Sequence, residues 1–365
     1  MNILIFLLIL FFLVLVHEFG HFIVAKKSGI RVDEFAIGFP PRLWKKKIGE
    51  TIYSINALPL GGFVKIFGEN PDDENTNGPD KARSFVHKGR PIQAFVLVDG
   101  VLMNIIFAWF LFSVAIMIGL LAPGGYAGDR KLIDAQVSIL QVLKESPAEK
   151  AGFLAGDKIL SLESGGEKFE KGGVEDVMEF ISTHGDRKIT AEVMRGAETK
   201  EIQAMPITGI LEDSSRSALG VSLGEVGILK LSFFEAISEA GKITIYVTGA
   251  VAIGLYDLIV TAIFGQADLS GLAGPVGIVG LVGDASNLGF AYLLGFTAMI
   301  SVNLAVLNLL PFPALDGGRL LFVAIETIIR KRIKPVIANS LNFAGFAILI
   351  LLMIVVTYND IVRLL

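Results

Sequence analysis

The stretch LVLVHEFGHFIVA, residues 13–25, places two imidazoles and a carboxylate, His17, Glu18 and His21, inside the most apolar run of the chain. A helix needs about 20 apolar residues to cross a bilayer, and the run from Ile3 to Val24 is long enough. Ionisable groups inside such a segment are costly and mark function by default. The feature therefore demands a helical frame in lipid with a polar site held inside it. Hydrophobic residues make up 53% of the chain, above the usual share for soluble domains, which agrees with a membrane protein carrying some polar mass.

Further spans are expected from about Ile92 to Leu121, Leu288 to Leu310 and Phe343 to Tyr358. A fifth stretch, 243–264, is long enough to cross. It holds Asp257, follows Glu235, Glu239 and Lys242, and reads equally as an amphipathic helix lying in the interface. The N-terminal run has no basic region before it and no small-residue cleavage site after it, so it is expected to be retained and not removed as a signal peptide.

Charge orients the loops. Residues 26–90 carry 12 Lys/Arg against 8 Asp/Glu, and 317–342 carry five basic residues and one acid, whereas 121–240 carry 13 basic and 20 acidic residues. The positive-inside rule puts the first two in the cytoplasm; the third, too long for the rule to govern, goes outside by parity if the second span crosses once. A net charge of −4 does not suggest a nucleic-acid partner, and the absence of cysteine excludes disulfides and thiolate ligands.

His17 and His21 are i and i+4, a spacing that stacks both rings on one helix face, where two neutral imidazoles can hold a zinc ion. Glu18, adjacent, is placed to act on a water polarised by the ion. A third histidine close downstream is missing, since the next is His87. Asp316, in NLAVLNLLPFPALDGGRLLF (303–322), is the candidate third ligand, because Pro311 and Pro313 should break the helix there and open a polar pocket. Taken alone, Asp316 reads better as a helix N-cap after a Pro-rich turn. With four spans it shares the histidines' side of the membrane; a crossing by 243–264 would put it on the opposite side.

TIYSINALPLGGFVKIFG (51–68) has β-favouring residues on both sides of a Pro-Leu-Gly-Gly turn, and is expected to form a hairpin. Its edge could pair with an unwound substrate near Gly61 and Gly62, or those glycines could serve the turn alone. His184 is expected at a surface helix end and His87 at the headgroups or in water.

The His17-Glu18-x-x-His21 span and NLLPFPALDGG together resemble the site-2 protease family of intramembrane zinc metalloproteases, most of all its bacterial anti-sigma-factor-cleaving branch. ALPLGGFVKIFGE (57–69) is similar to the family's membrane-associated β-loop, SPAEKAGFLAGDKILSLESG (146–165) to a PDZ domain, and LSGLAGPVGIVG (269–280) to the family's Gly-Pro segment. The resemblance implies a multi-pass α-helical membrane protein with four transmembrane helices, a cytoplasmic β-hairpin and an inserted extracytoplasmic PDZ-like α+β domain. The expected layout is helix 1 at 1–25, the cytoplasmic loop at 26–90, helix 2 at 91–122 and a PDZ-like domain at 135–208. Interfacial helices and the Gly-Pro connector follow at 233–286, then helix 3 at 287–318 and helix 4 at 342–362. Only one PDZ-like module has room. The resemblance further implies Zn2+ on His17, His21 and Asp316, Glu18 as general base, and Asn308 engaging substrate or the reacting carbonyl. It implies a cell-membrane location with the active site toward the cytoplasm, and single-span membrane proteins of the anti-sigma-factor kind as substrates. A peptide could bind the PDZ-like domain. The rival reading is a non-catalytic scaffold with a structural metal.

Overall fold

The computed structural model describes residues 1–69, 77–124, 132–196, 198–209, 216–265 and 273–364, and the chain divides into two units. The first comprises Met1–Ala115 and Phe233–Leu365; the second is Ile116–Ser232.

In the first unit α1 (Asn2–Lys27) is followed by β1 (Val32–Ile48), β2 (Thr51–Ile66) and α2 (Arg90–Ile118). Five helices close it: α5 (Phe233–Ile263), α6 (Pro275–Asn287), α7 (Phe290–Leu309), α8 (Asp316–Ile329) and α9 (Pro335–Leu364). Among the described residues five helices are long and apolar enough to cross a membrane: α1, α2, α5, α7 and α9. That is one more than expected, because 233–263 forms one unbroken helix and not a set of short ones. Residues 269–272, the first part of the Gly-Pro segment, lie outside the described residues. Ile3, Leu4, Leu8 and Phe12 of α1 and Phe343, Phe346, Leu351 and Ile354 of α9 are exposed. Such contiguous apolar exposure is foreign to soluble monomers and suits lipid-facing helices.

Small residues bring the helices close. A Cβ on Gly20 of α1 would lie 2.7 Å from the backbone oxygen of Asp99 on α2, so α1 and α2 pack backbone to backbone. At the start of α6 the buried Asp360 of α9 accepts the amide N–H groups of Gly274 (3.1 Å) and Gly277 (2.8 Å). A carboxylate from another helix thus satisfies donors that a helix start leaves free.

The expected hairpin takes a different form. Residues 34–37 of β1 have partners on both sides: Phe35 lies opposite Val64 and Tyr53, and Ala36 opposite Phe63 and Ser54. The two arms of β2 therefore do not pair with each other; β1 runs between them, and its far half, Trp44–Ile48, pairs back on Ile55–Thr51. Room for the crossing comes from Gly38 (φ 80), where a Cβ would sit 2.8 Å from the Leu58 carbonyl oxygen. Inside the sheet the Glu34 carboxylate accepts from Arg42 (2.7 Å) and Ser54 (2.6 Å).

The second unit is an antiparallel sheet in the order β3-β9-β4-β5-β7-β8, with β6 beside β5. The strands are β3 (Leu120–Pro123), β4 (Ile133–Val142), β5 (Lys158–Ser164), β6 (Glu167–Phe169), β7 (Ile189–Arg195), β8 (Glu198–Ala204) and β9 (Val221–Leu229). Helices α3 (Pro147–Ala151) and α4 (Val174–Thr183) complete it, over a core of Ile139, Phe153, Leu162, Val177, Ile181, Ile189 and Val193. The unit reaches beyond 135–208 because β9 inserts between β3 and β4. Gly224 and Gly227 hide that strand in the sequence; Cβ atoms there would lie 2.6 Å from Leu140 and 2.8 Å from Leu132. His184 does end α4, but it is buried and not on the surface: its ring stacks on Phe180 at 4.3 Å and its Nδ1 lies 2.9 Å from the Phe180 carbonyl oxygen.

Candidate metal centre

His17 and His21 occupy successive turns of α1 on its buried side, with rings 4.8 Å apart and nearly perpendicular. Their Nε2 atoms are 3.2 Å apart. The third corner arrives from the other end of the chain. After Leu309 the chain leaves the helix through Pro311 and Pro313, passes Ala314 in the left-handed region (φ 76), and restarts as α8 at Asp316. The Ala314 N–H donates to Asn342 Oδ1 at 3.2 Å, which supports the strained residue. Gly317 and Gly318 make the fold-back possible, since Cβ atoms there would lie 2.2 Å from the Leu310 and Phe312 carbonyl oxygens.

The turn delivers Asp316 Oδ2 to 2.9 Å from His17 Nε2 and 3.4 Å from His21 Nε2. Leu315 takes the N-cap position of α8 and Asp316 is its first helical residue, so the N-cap reading does not hold. Two nitrogens and one oxygen with separations of 2.9, 3.2 and 3.4 Å fit the edges of a tetrahedron. Arms of about 2.0–2.1 Å, the usual Zn–N and Zn–O lengths, give edges of about 3.3 Å. The donor set, two imidazoles and a carboxylate with no thiolate, is that of a zinc site keeping one position open. α6, packed on α1 through Val282, Ile9 and Leu13, stands between α5 and α7 in the chain.

Glu18 is half-buried beside the pair, and its Oε2 accepts the Val64 N–H at 3.0 Å. Val64 lies on the last arm of β2, so the sheet edge itself reaches the site. Gly61 (φ 136) brings the backbone there, because a Cβ would stand 2.8 Å from Val14 on α1; Gly62 is pressed equally hard on Ala36 O, at 2.6 Å. Gly61 thus serves a close approach between the sheet and α1, and Gly62 a close approach between β2 and β1. Asn308 sits half-buried in the last turn of α7, and among the described residues no hydrogen bond joins it to His17, His21 or Asp316. His87 is exposed and stands apart from the cluster.

Several neighbours escaped sequence reasoning. His21 Nδ1 meets the Val96 carbonyl oxygen at 2.7 Å, and Asn104 Nδ2 lies 3.4 Å from His17 Nδ1. Gly100 faces both rings: a Cβ would fall 2.5 Å from His21 Nε2 and 2.8 Å from His17 Cε1. Arg319, one turn beyond Asp316, pairs with Glu69. It also lines a cavity of about 640 Å³ with Gln93, Phe322 and Asn339, whose walls include none of the triad. A backbone carbonyl and an isolated Asn on an apolar helix leave no pattern in a sequence; a Gly-x-x-x-Asn spacing was the only trace.

Comparison with known proteins bears on this geometry. A family model described as peptidase family M50 matches residues 5–352. A Clostridium perfringens protein whose name places it provisionally among the zinc metalloproteases is 37% identical over 354 residues, covering 96% of this chain and 95% of its own. The zinc metalloprotease RasP of Geobacillus kaustophilus is 30% identical over 425 residues, with 96% of this chain and 95% of that protein covered. RasP of Oceanobacillus iheyensis is 29% identical, covering 98% of each.

Proposed function

The chain belongs to peptidase family M50, whose zinc metalloprotease activity it shares, and from that premise we propose that it cuts peptide bonds within the membrane. The observation that carries the proposal is the meeting of His17, His21 and Asp316 beside the Glu18 carboxylate, on a helix apolar enough to span. Zinc held by those three residues supplies Lewis acidity to a scissile carbonyl and acidifies a water.

The chain's own groups do the rest. Glu18 takes the water's proton on a carboxylate oxygen and passes it to the leaving amide nitrogen. The Val64 N–H keeps that carboxylate aimed. Asn308 donates its side-chain N–H to the oxygen that gains charge as the carbonyl is attacked. The substrate helix unwinds and adds as a strand along the β2 edge past Gly61 and Gly62, which exposes bonds that a helix conceals.

The substrates are single-span membrane proteins of the anti-sigma-factor kind, cleaved in regulated intramembrane proteolysis at the cell membrane. The unit Ile116–Ser232 is a PDZ-like domain on the outer side that takes a peptide or screens substrates by bulk, and the metal faces the cytoplasm. Helix α5 lies in the interface and guards lateral entry, so the protein crosses four times. A purely structural metal is disfavoured, because such sites close their coordination with four protein ligands. Incubating detergent-purified protein with single-span substrates, with and without chelator, tests the proposal. Cleavage that survives complete zinc removal overturns it.

A further inference from the structure

Asn104 is fully buried on α2, beside the His17 ring. Its Nδ2 lies 3.4 Å from His17 Nδ1, while its Oδ1 is buried with no hydrogen-bond partner. A buried polar atom left unsatisfied costs about 1–3 kcal/mol, so native structures seldom leave one without a purpose. The backbone that carries this carboxamide is held in place. Its backbone oxygen accepts from Ser301 Oγ on α7 at 2.8 Å, and Gly100, one turn earlier, lets α2 press against both imidazoles.

His17 points Nε2 at Asp316 and His21, where the ion belongs. A neutral imidazole that offers Nε2 as a lone pair carries its proton on Nδ1. That N–H then needs an acceptor. His21 has the Val96 carbonyl; His17 has only Asn104 within reach among the described residues. Turning the carboxamide through half a revolution exchanges its nitrogen for its oxygen, and the orphaned Oδ1 becomes the acceptor.

We infer that Asn104 is a positioning residue: its side-chain oxygen accepts the Nδ1–H of His17 and so holds the ring in the tautomer and orientation that present Nε2 to zinc. The inference rests on His17 being a zinc ligand. Residues in this role are worth about 10- to 100-fold in metal affinity.

The test is zinc affinity of the full chain in detergent, measured by competition with a chromophoric chelator, with thermal unfolding of the zinc-free protein as a fold control. Asn104→Leu keeps the volume and removes the acceptor; it is expected to weaken zinc binding about 10- to 100-fold. Asn104→Asp restores an acceptor oxygen and is expected to return affinity to within a few-fold of the parent. A purely packing role predicts that Asp does no better than Leu, and that result, or wild-type affinity in Asn104→Leu, overturns the inference. If Asn104→Leu is unfolded, Asn104→Ala carries the same comparison against Asp. His17→Ala separates the underlying reading: unchanged zinc affinity there removes His17 from the metal and the inference with it, whereas a large loss there leaves the Asn104 variants decisive.

Discussion

The backbone N–H of Val64 donates to Glu18 Oε2 at 3.0 Å, so an edge of the β1–β2 sheet and the acidic residue of the first helix share one hydrogen bond. The bond couples the place where an extended chain would be laid to the group that would move protons. Among the described residues no hydrogen bond is made to the other carboxylate oxygen of Glu18, the one a water would use.

Glu18→Gln keeps size and removes the base. Cleavage of a reporter membrane helix should fall by about 10²–10⁴-fold, while zinc content measured by atomic absorption stays at the parent level. Full activity would take Glu18 out of the mechanism.

Val64→Pro deletes the donor while its neighbours keep the pairing with β1, because the lost N–H faces away from that ladder. We expect turnover to drop about tenfold, the scale of one charge-assisted hydrogen bond of about 1.5 kcal/mol, with zinc affinity unchanged. Equal losses in zinc affinity and turnover would show that the sheet edge supports the metal and not the carboxylate.

Gly100→Ala introduces a methyl where 2.5 Å is available before His21 Nε2. The atoms it meets are metal-facing parts of two rings, not the tip of a flexible chain. Zinc stoichiometry should fall well below that of the parent and proteolysis should disappear with it. A variant that binds zinc normally would mean that α2 can shift outward at no cost to the site.

Asp157 in the second unit offers a pH prediction. Burial alone would raise its carboxyl; the Arg195 guanidinium at 2.7 Å and the Leu154 N–H outweigh that and hold it below its ordinary value of 3.8. A depressed folded-state value stabilises the unit above the unfolded-state value, and the contribution is lost as pH falls below it. Amide exchange at Leu154 should accelerate as pH is lowered below about 4 once intrinsic rates are corrected. In Asp157→Asn the acid-dependent part should vanish, and its persistence would assign the effect to other carboxyls.

The parts of this fold visible in the sequence are those driven by one strong local rule. Runs such as Ile3–Val24 must be helices in lipid, and an i, i+4 pair of histidines must share a face. Asp316 was reachable because Pro311 and Pro313 announce a break in an otherwise spanning segment. The remainder depended on partners far away in the chain. Nothing near residue 64 says that its amide meets Glu18, and the Gly-x-x-x-Asn spacing at Gly100 and Asn104 says nothing of a histidine on another helix. The inward run of β1 between the arms of β2 was hidden for a similar reason: a Pro-Leu-Gly-Gly turn is locally identical whether its flanks pair with each other or with a third segment. The 31-residue length of α5 was also obscured, because Asp257 and the charges at Glu235, Glu239 and Lys242 suggested amphipathic interfacial helices where one unbroken apolar helix runs.

Asp360 closes over the start of α6 from 86 residues downstream of Gly274. During synthesis the amides of Gly274 and Gly277 consequently wait for that carboxylate until the ribosome has passed residue 360, long after both halves of the metal site have been made. The order of translation thus places synthesis of every ligand ahead of the clasp that secures the start of α6. A chain stalled before codon 360 would hold every ligand and still lack that clasp.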